Sequence, residues 1–313
     1  MISKPTVSVV IPTYNRAYLL GNAIRSVLSQ TYKDFEMIIV DDGSTDNTEE
    51  VVKGFADKRI RYVRLKKNSG SCATPRNAGI KIAQGEYIAC QDDDSEWLPE
   101  KLEKHINAFE KASPAVGVTY TGMWRITDNE KTYWPPACEV PKEGNIHQQL
   151  LKQCYIGNPP VVVKKECLKR VGMYDEKLPF ALEWDLWLRV SKYYDFKFID
   201  EPLVTAYYSP ETTHYNETNI MKGIIMLLDK HLREFKEADK ILLTERYFNC
   251  GAALCISEDS AQFAEGRRSI LTAAKICPLN LKYILFSLIS LSGPALFHNR
   301  PLRRLYRRLN RKS

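Results

Sequence analysis

The sequence predicts an α/β fold with a mostly parallel central sheet and a helical C-terminal extension. Three observations carry that reading. Over the first two hundred residues short β-branched runs alternate with helical patterns, as βαβ units require. Polar and acidic clusters follow directly on several of those runs. From about Asn219 onward the signals are helical alone, without internal repeat or low-complexity linker.

Val7 to Ile11 reads as a buried strand, and residues 17 to 28 place Leu19, Leu20, Ala23, Ile24, Val27 and Leu28 at helical spacing. Phe35 to Val40 is the next strand. It runs into Asp41-Asp42-Gly43-Ser44-Thr45-Asp46, whose Gly and Asp suit a tight turn and whose Ser and Asp suit a helix cap. Ile60 to Leu65 is a third strand, Ala73 to Ala83 a helix, and Tyr87 to Cys90 a fourth strand ending in Asp92-Asp93-Asp94. Beyond Val116 the pattern is mixed, with strands at Val116 to Thr121, Val161 to Lys164, Phe196 to Ile199 and Leu203 to Tyr208. The division expected is an α/β domain over 1–215 and a helical C-terminal region over 216–313 that ends in a basic amphipathic tail.

Composition excludes several classes. With 44% hydrophobic and 27% charged residues, the chain matches neither a disordered segment nor a multi-span membrane protein. Its eight cysteines show no CxxC pair and no His at zinc-ligand spacing, so they read as reduced, mostly buried thiols. The start MISKPTVSVV has no signal-peptide pattern, which makes the cytoplasm the expected location. Residues 298–313 hold seven of the 45 Lys and Arg and none of the 38 Asp and Glu, so the net charge of +7 belongs to that segment alone. Nucleic-acid binding would explain the segment but not the acidic clusters, and is not expected.

In an open parallel sheet, ligands bind outside the carboxyl ends of the strands. Three such ends are polar here: Pro12-Thr13-Tyr14-Asn15-Arg16, Asp41-Asp42-Gly43-Ser44 and Asp92-Asp93-Asp94. The second could be only a turn and helix cap. The third is harder to explain structurally, because adjacent carboxylates repel and no turn requires three of them. A divalent cation, Mg²⁺ or Mn²⁺, bound by one or two carboxylates and by substrate phosphates would offset the repulsion. No GxxxxGK[ST] and no strand-linked GxGxxG offers the phosphates another cradle. A further acidic cluster, Glu183-Trp184-Asp185, reads either as helix-start acids favoured by the dipole or, at Glu183, as a general base.

At this point the residues resemble a known family. The runs VVIPTYNR (9–16), IVDDGSTD (39–46), NSG (68–70) with RNAG (76–79), GEYI (85–88) with DDD (92–94) and WLP (97–99) are similar in order and spacing to glycosyltransferase family 2. The later GMYDE (172–176) and EWDLWLR (183–189) match as well, so the resemblance covers about residues 6–208. It implies a GT-A fold, a Rossmann-like nucleotide-diphospho-sugar transferase domain, and an inverting transfer from a nucleotide diphospho-sugar donor. It implies that Pro12, Thr13 and Tyr14 line the nucleoside, with Arg16 close by, that Asp41 accepts a hydrogen bond from the base with Asp42 beside it, and that Arg76 lies near the diphosphate. Asp92 and Asp94 match the metal-binding pair, with Asp94 the direct ligand, Asp92 nearer the ribose and Asp93 between them. Glu183 matches the catalytic base.

The sequence departs from the family pattern in places. Ser95 stands where a fourth acid is frequent, and the base is Glu in a Leu182-Glu183 pair where Asp is common, with Asp185 as a possible substitute. Tyr174 stands where Phe is frequent, and Gly157-Asn158-Pro159-Pro160 where small hydroxyl residues are frequent. Two rival classes stand beside this one: a sugar-phosphate nucleotidyltransferase, which would show a Gly-rich basic loop after the first strand, and an inactive sugar-nucleotide-binding scaffold.

In the last sixteen residues Leu302, Leu305, Tyr306 and Leu309 fall on one helical face opposite five arginines, a basic amphipathic pattern. Just before it, Tyr283 to Phe297 is apolar but broken by Gly293-Pro294, too short for a confident span. An anionic membrane surface is the expected partner of this tail, which puts the enzyme on the inner face of the membrane beside a lipid-linked or cell-surface glycan acceptor. The alternative is a helix packed on the domain with a solvated basic face.

Overall fold

A computed structural model describes residues 4–127, 130–136, 142–208, 216–257 and 259–297. The residues divide into two compact units: Met1–Lys177 with Leu182–His214, and Leu178–Ala181 with Tyr215–Ser313.

The first unit runs β1 (Val7–Thr13), α1 (Ala17–Leu28), β2 (Phe35–Asp41), α2 (Thr48–Lys53), β3 (Ile60–Arg64), α3 (Ala73–Ile82) and β4 (Tyr87–Cys90). It continues β5 (Ser95–Trp97), α4 (Lys101–Lys111), β6 (Val116–Ile126), β7 (Lys131–Trp134), α5 (His147–Lys152), β8 (Val161–Lys164), α6 (Lys165–Val171), α7 (Leu182–Val190) and β9 (Asp195–Tyr207). The strands form one sheet in the order β3-β2-β1-β4-β8-β6-β9-β5, with β7 added on β6. The β3-β2-β1-β4 half is parallel throughout, as the alternating pattern predicts. In the other half β8 runs antiparallel to β4 and β6, while β9 runs parallel to β6.

All seven side chains of β1 are buried because helices cover both faces. On one face Val9 and Ile11 join a core with Leu20 and Ile24 of α1 and Leu102, Ile106 and Phe109 of α4. On the other, α3 packs so closely that a Cβ on Gly79 would stand 2.5 Å from Val10 Cγ1. Only a glycine allows that approach.

Two expected strands, Phe196 to Ile199 and Leu203 to Tyr208, prove to be one, β9. Its register against β6 slips between the Thr121–Ile199 and Gly122–Pro202 pairs, so the strand bulges at residues 200 and 201 and carries on. β6 extends to Ile126, five residues beyond the expected end, because β9 and β7 pair with that extension. The short strands β5 and β7 were not legible in the sequence.

The second unit is helical: α8 (Glu217–Lys230), α9 (Leu232–Ala238), α10 (Lys240–Leu254), α11 (Ser260–Ile276), α12 (Leu281–Leu291) and α13 (Pro294–Phe297). Asn216, Asp239, Asp259 and Asn280 each accept hydrogen bonds from the first turn of the helix they precede. Gly251 of α10 and Gly266 of α11 let the two backbones touch, since a Cβ on either would fall within 2.7 Å of the other's carbonyl oxygen. Among the described residues no helix is long and apolar enough to cross a membrane. The basic amphipathic pattern at 298–313 and Cys138 lie outside the described residues; the other seven cysteines are free thiols.

Candidate active site

The site lies where β1, β2 and β4 end. β1 and β2 pair in register as far as Thr13 and Asp41, so the two polar turns leave the sheet side by side. Asn15 takes a φ of 52°, a conformation Asn tolerates better than most residues. Neighbours hold it there: its N–H donates to Ser44 Oγ at 2.9 Å, and its Oδ1 accepts from Thr45 N at 2.7 Å. Arg16, which precedes α1, offers no side-chain cap. Asp46 from the next turn does so instead, its Oδ2 accepting from Ala17 N at 3.0 Å while Oδ1 accepts from Thr48 N at 3.1 Å. Partial burial would raise the Asp46 carboxyl, but these bonds outweigh it and hold the group below the ordinary carboxylate value.

Asp41 is fully engaged. Its Oδ1 accepts from Ser44 N at 2.7 Å and its Oδ2 from the Tyr62 hydroxyl at 2.5 Å. Asp42 accepts from Ser69 N and from Ser69 Oγ, the latter at 2.8 Å, and burial pushes its carboxyl up despite these bonds. Gly43, at φ 79°, has Lys67 and Asn68 against it: a Cβ there would lie 2.7 Å from the Lys67 carbonyl carbon. Pro12 is buried within β1, whereas Tyr14 is 40% exposed.

The Asp92-Asp93-Asp94 run is tied to two arginines. Arg16 Nη1 donates to Asp93 Oδ1 at 3.0 Å and to Asp94 Oδ2 at 2.8 Å, and the Thr13 hydroxyl donates to Asp93 Oδ2 at 2.7 Å. Asp93 is thereby turned inward. On the other flank Arg76 Nη2, from α3, donates to Asp92 Oδ1 at 2.6 Å, and Arg76 Nη1 stands 3.8 Å from Glu183 Oε1 at the start of α7. Arg76 is buried, with its ring partner Tyr174 at 5.7 Å. Burial, then the charges of Asp92 and Asp93, push the Asp94 carboxyl up to about 7 although Arg16 opposes the shift. With three carboxylates against two arginines, the run carries surplus negative charge, and a divalent cation fits that surplus. Among the described residues no group of three or more His, Cys, Asp or Glu is disposed to hold a metal.

Glu183 is reached by a chain of hydrogen bonds that sequence reasoning missed. The buried Tyr174 hydroxyl donates to Asn158 Oδ1 at 2.6 Å, and Asn158 Nδ2 donates to Glu183 Oε1. The Tyr174 backbone is pinned in turn by Asn77, whose Oδ1 accepts from Tyr174 N at 3.0 Å and whose Nδ2 donates to Tyr174 O at 2.9 Å. Tyr174 and Asn158 are two of the positions that depart from the family pattern, and that departure was the only available signal.

Asp185 is not part of this cluster. It is completely buried, and its Oδ2 accepts from Arg189 Nε and Nη2 at 2.9 and 2.8 Å, one helical turn on. Arg189 also donates to the carbonyls of Val171, Gly172 and Met173, closing the α6–α7 connection. The structure thus brings together Thr13, Arg16, Arg76, Asp92, Asp93, Asp94 and Glu183. It sets Asp41 and Asp42 at the neighbouring strand end and leaves Asp185 in a structural ion pair.

A sheet that is parallel on its nucleotide side and mixed beyond, with acids at the switch between the halves, defines a GT-A glycosyltransferase. The family model for glycosyl transferase family 2 matches residues 8–172, and the chain belongs to that family. It is similar to WcaA of Escherichia coli K12, named for colanic acid biosynthesis, with 36% identity over 61% of this chain and 67% of the relative. Staphylococcus aureus TarS residues 1–349, solved in complex with UDP-GlcNAc, has the same fold at a TM-score of 0.66 and 18% identity, covering 87% of this chain and 82% of TarS 1–349. The mannosyltransferase PcManGT of Pyrobaculum calidifontis, solved with GDP-Man and Mn²⁺, follows at a TM-score of 0.55 and 18% identity, covering 95% of this chain and 86% of its own. Among curated Rickettsia relatives the chain spans from 76% down to 28% of the relative's own length. Membership of the family sets aside the nucleotidyltransferase and scaffold readings.

Proposed function

We propose that this glycosyltransferase moves one sugar, with inversion, from a nucleoside diphosphate sugar to a hydroxyl of a lipid-linked or cell-surface glycan precursor. The observation that carries the reading is the guanidinium of Arg76, which joins a donor-side acid, Asp92, to an acceptor-side acid, Glu183. Donor and acceptor groups must meet within a few ångströms for direct displacement, and this is the point of the fold where both kinds of acid do so.

In the proposed reaction Glu183 removes the proton from the acceptor hydroxyl. The freed oxygen forms its bond to the anomeric carbon while the bond from that carbon to the donor phosphate oxygen breaks. The leaving group is a nucleoside diphosphate, and Arg76 stabilises the charge it gains. The hydrogen bond from Asn158 fixes the Glu183 carboxylate, so its other oxygen is left to face the acceptor. Asp94 and Asp92 would hold Mn²⁺ or Mg²⁺, which when bound supplies positive charge against the diphosphate. Pro12, Thr13, Tyr14, Asp41 and Asp42 would form the nucleoside end, with Arg16 and Asp93 bracing the acidic run.

Both solved neighbours are complexes with nucleotide sugars, and PcManGT also with Mn²⁺. These support the donor class and the metal. The colanic acid relative supports a polysaccharide acceptor. The seven basic residues of 298–313 support a cytoplasmic enzyme on the inner membrane face.

A thermal-shift screen of nucleotide diphospho-sugars with Mn²⁺, followed by NMR of the product's anomeric configuration, tests the reaction. Retention of configuration, or no donor that stabilises the protein, overturns it. Deleting residues 298–313 should remove the salt-sensitive part of the protein's binding to anionic vesicles without altering donor hydrolysis. Unchanged vesicle binding overturns the membrane reading of the tail.

A further inference from the structure

Helix α12 is apolar on its outward face as well as its inward one. Its sequence, LKYILFSLISL, turns Tyr283, Phe286, Ser287 and Ser290 inward, while Leu281, Leu285, Leu288 and Leu291 face out. These leucines are 80%, 43%, 59% and 59% exposed and recur at i, i+4, i+7 and i+10, so they form one continuous stripe. Leu279, just before the helix, is 92% exposed. Against them the two serines are buried to 7% and 0%: Ser290 Oγ donates to the Ser287 carbonyl at 2.6 Å, and Ser287 Oγ has no partner. A single exposed leucine means little, but burying hydroxyls while a row of leucines faces outward is the reverse of what water selects.

We propose that the outward face of α12, with Leu279, seats in the surface layer of an anionic lipid bilayer. Charge argues for that occupant. The helix carries no carboxylate, and the segment that follows, 298–313, has seven basic residues and no acid. A cationic stretch of sequence that follows soon after an apolar stripe matches the chemistry of the two layers of such a surface, phosphate outside and acyl chains beneath. Length argues for lying on the bilayer over crossing it, because eleven residues span about 16 Å against a hydrocarbon core of about 30 Å. The proposal deepens the membrane reading above and differs from it in a measurable way. Contacts made by a basic tail are screened by salt, whereas contacts made by buried leucines are not.

The test compares the full chain with the triple substitution Leu285→Ser, Leu288→Ser, Leu291→Ser, using co-sedimentation with vesicles of phosphatidylcholine and phosphatidylglycerol. The parent should keep a fraction of its binding at about 0.5 M salt, and the triple variant should lose that fraction at least tenfold, with donor hydrolysis unchanged. Should the triple variant fold poorly, Leu288→Trp supplies the answer. The fluorescence of the introduced indole should shift to the blue with vesicles and be quenched by brominated lipids. Equal salt-resistant binding by parent and triple variant overturns the proposal, as does an indole signal in Leu288→Trp that is indifferent to lipid. A lipid-free parent that is a dimer, with the triple variant a monomer, overturns it in favour of a second copy of the chain. If deletion of 298–313 removes the salt-sensitive part of the binding while the leucine-dependent fraction survives, both membrane readings stand; if only the leucine-dependent fraction is absent, this one alone falls.

Discussion

Arg76 stands between two acids that the sequence separates by 91 positions: its Nη2 is 2.6 Å from Asp92 Oδ1 and its Nη1 is 3.8 Å from Glu183 Oε1. Its side chain is only 7% exposed, so the charge is held by these partners and not by water. Arg76→Lys keeps a charge but cannot reach both acids in a planar fork. Steady-state kinetics should show turnover down about tenfold for Arg76→Lys and about 10² to 10³ for Arg76→Met. Near-normal turnover in Arg76→Met would show that the guanidinium only braces the fold.

Glu183→Gln and Asp185→Asn should fail in different ways. The first keeps shape and hydrogen bonding but cannot take a proton, so turnover should fall about 10² to 10⁴ with donor affinity and melting temperature retained. The second breaks a pair with Arg189 in which the carboxylate is fully buried and the guanidinium mostly so, and its first loss should be stability, about 3 kcal/mol by denaturant titration. If Asp185→Asn is stable and inactive while Glu183→Gln turns over normally, the base is Asp185.

Tyr174→Phe deletes the hydroxyl that holds Asn158 against Glu183. Because Asn158 Oδ1 is then left buried with one partner fewer, stability should drop by about 1 to 2 kcal/mol. The kinetic mark is a several-fold fall in kcat with donor KM unchanged. A change in donor KM alone would place Tyr174 on the donor side.

Asp94→Ala should abolish metal-dependent transfer, and EDTA should do the same to the parent, with Mn²⁺ or Mg²⁺ restoring it. Isothermal titration of Mn²⁺ with a nucleoside diphosphate present gives a second readout, with binding lost in the variant. Transfer by Asp94→Ala in EDTA at the parent's rate would remove the metal from the mechanism.

Gly43 and Gly70 both have positive φ, 79° and 74°, but only Gly43 has backbone where a Cβ would go. Gly70→Ala should therefore cost the conformational strain alone, about 1 to 2 kcal/mol. Gly43→Ala adds a 2.7 Å overlap with the Lys67 carbonyl carbon and should cost about 1 to 3 kcal/mol more by chemical denaturation. Equal losses would mean that the Lys67–Asn68 segment yields freely.

The sequence by itself determined the parallel half of the sheet and the strand ends that carry the polar and acidic clusters. Hydrophobic runs, glycines and acids that are neighbours in the chain stay neighbours in space, so Asp41, Asp42 and Asp92 to Asp94 could be read directly. It also determined the family, through motifs in a fixed order. Tertiary structure alone decided what each acid contacts. Arg16 reaches Asp93 and Asp94 across 77 and 78 positions, and Tyr174 finds Asn158 across the whole of β8 and α6. Glu183, the base the sequence favours, and Asp185, its possible substitute, lie two residues apart, and a helix turns alternate positions by about 200° and sends one to Arg76 and the other into the core with Arg189. The same geometry decided α12: composition shows an apolar stretch, but only packing against its neighbours fixes that the serines face in and the leucines face out.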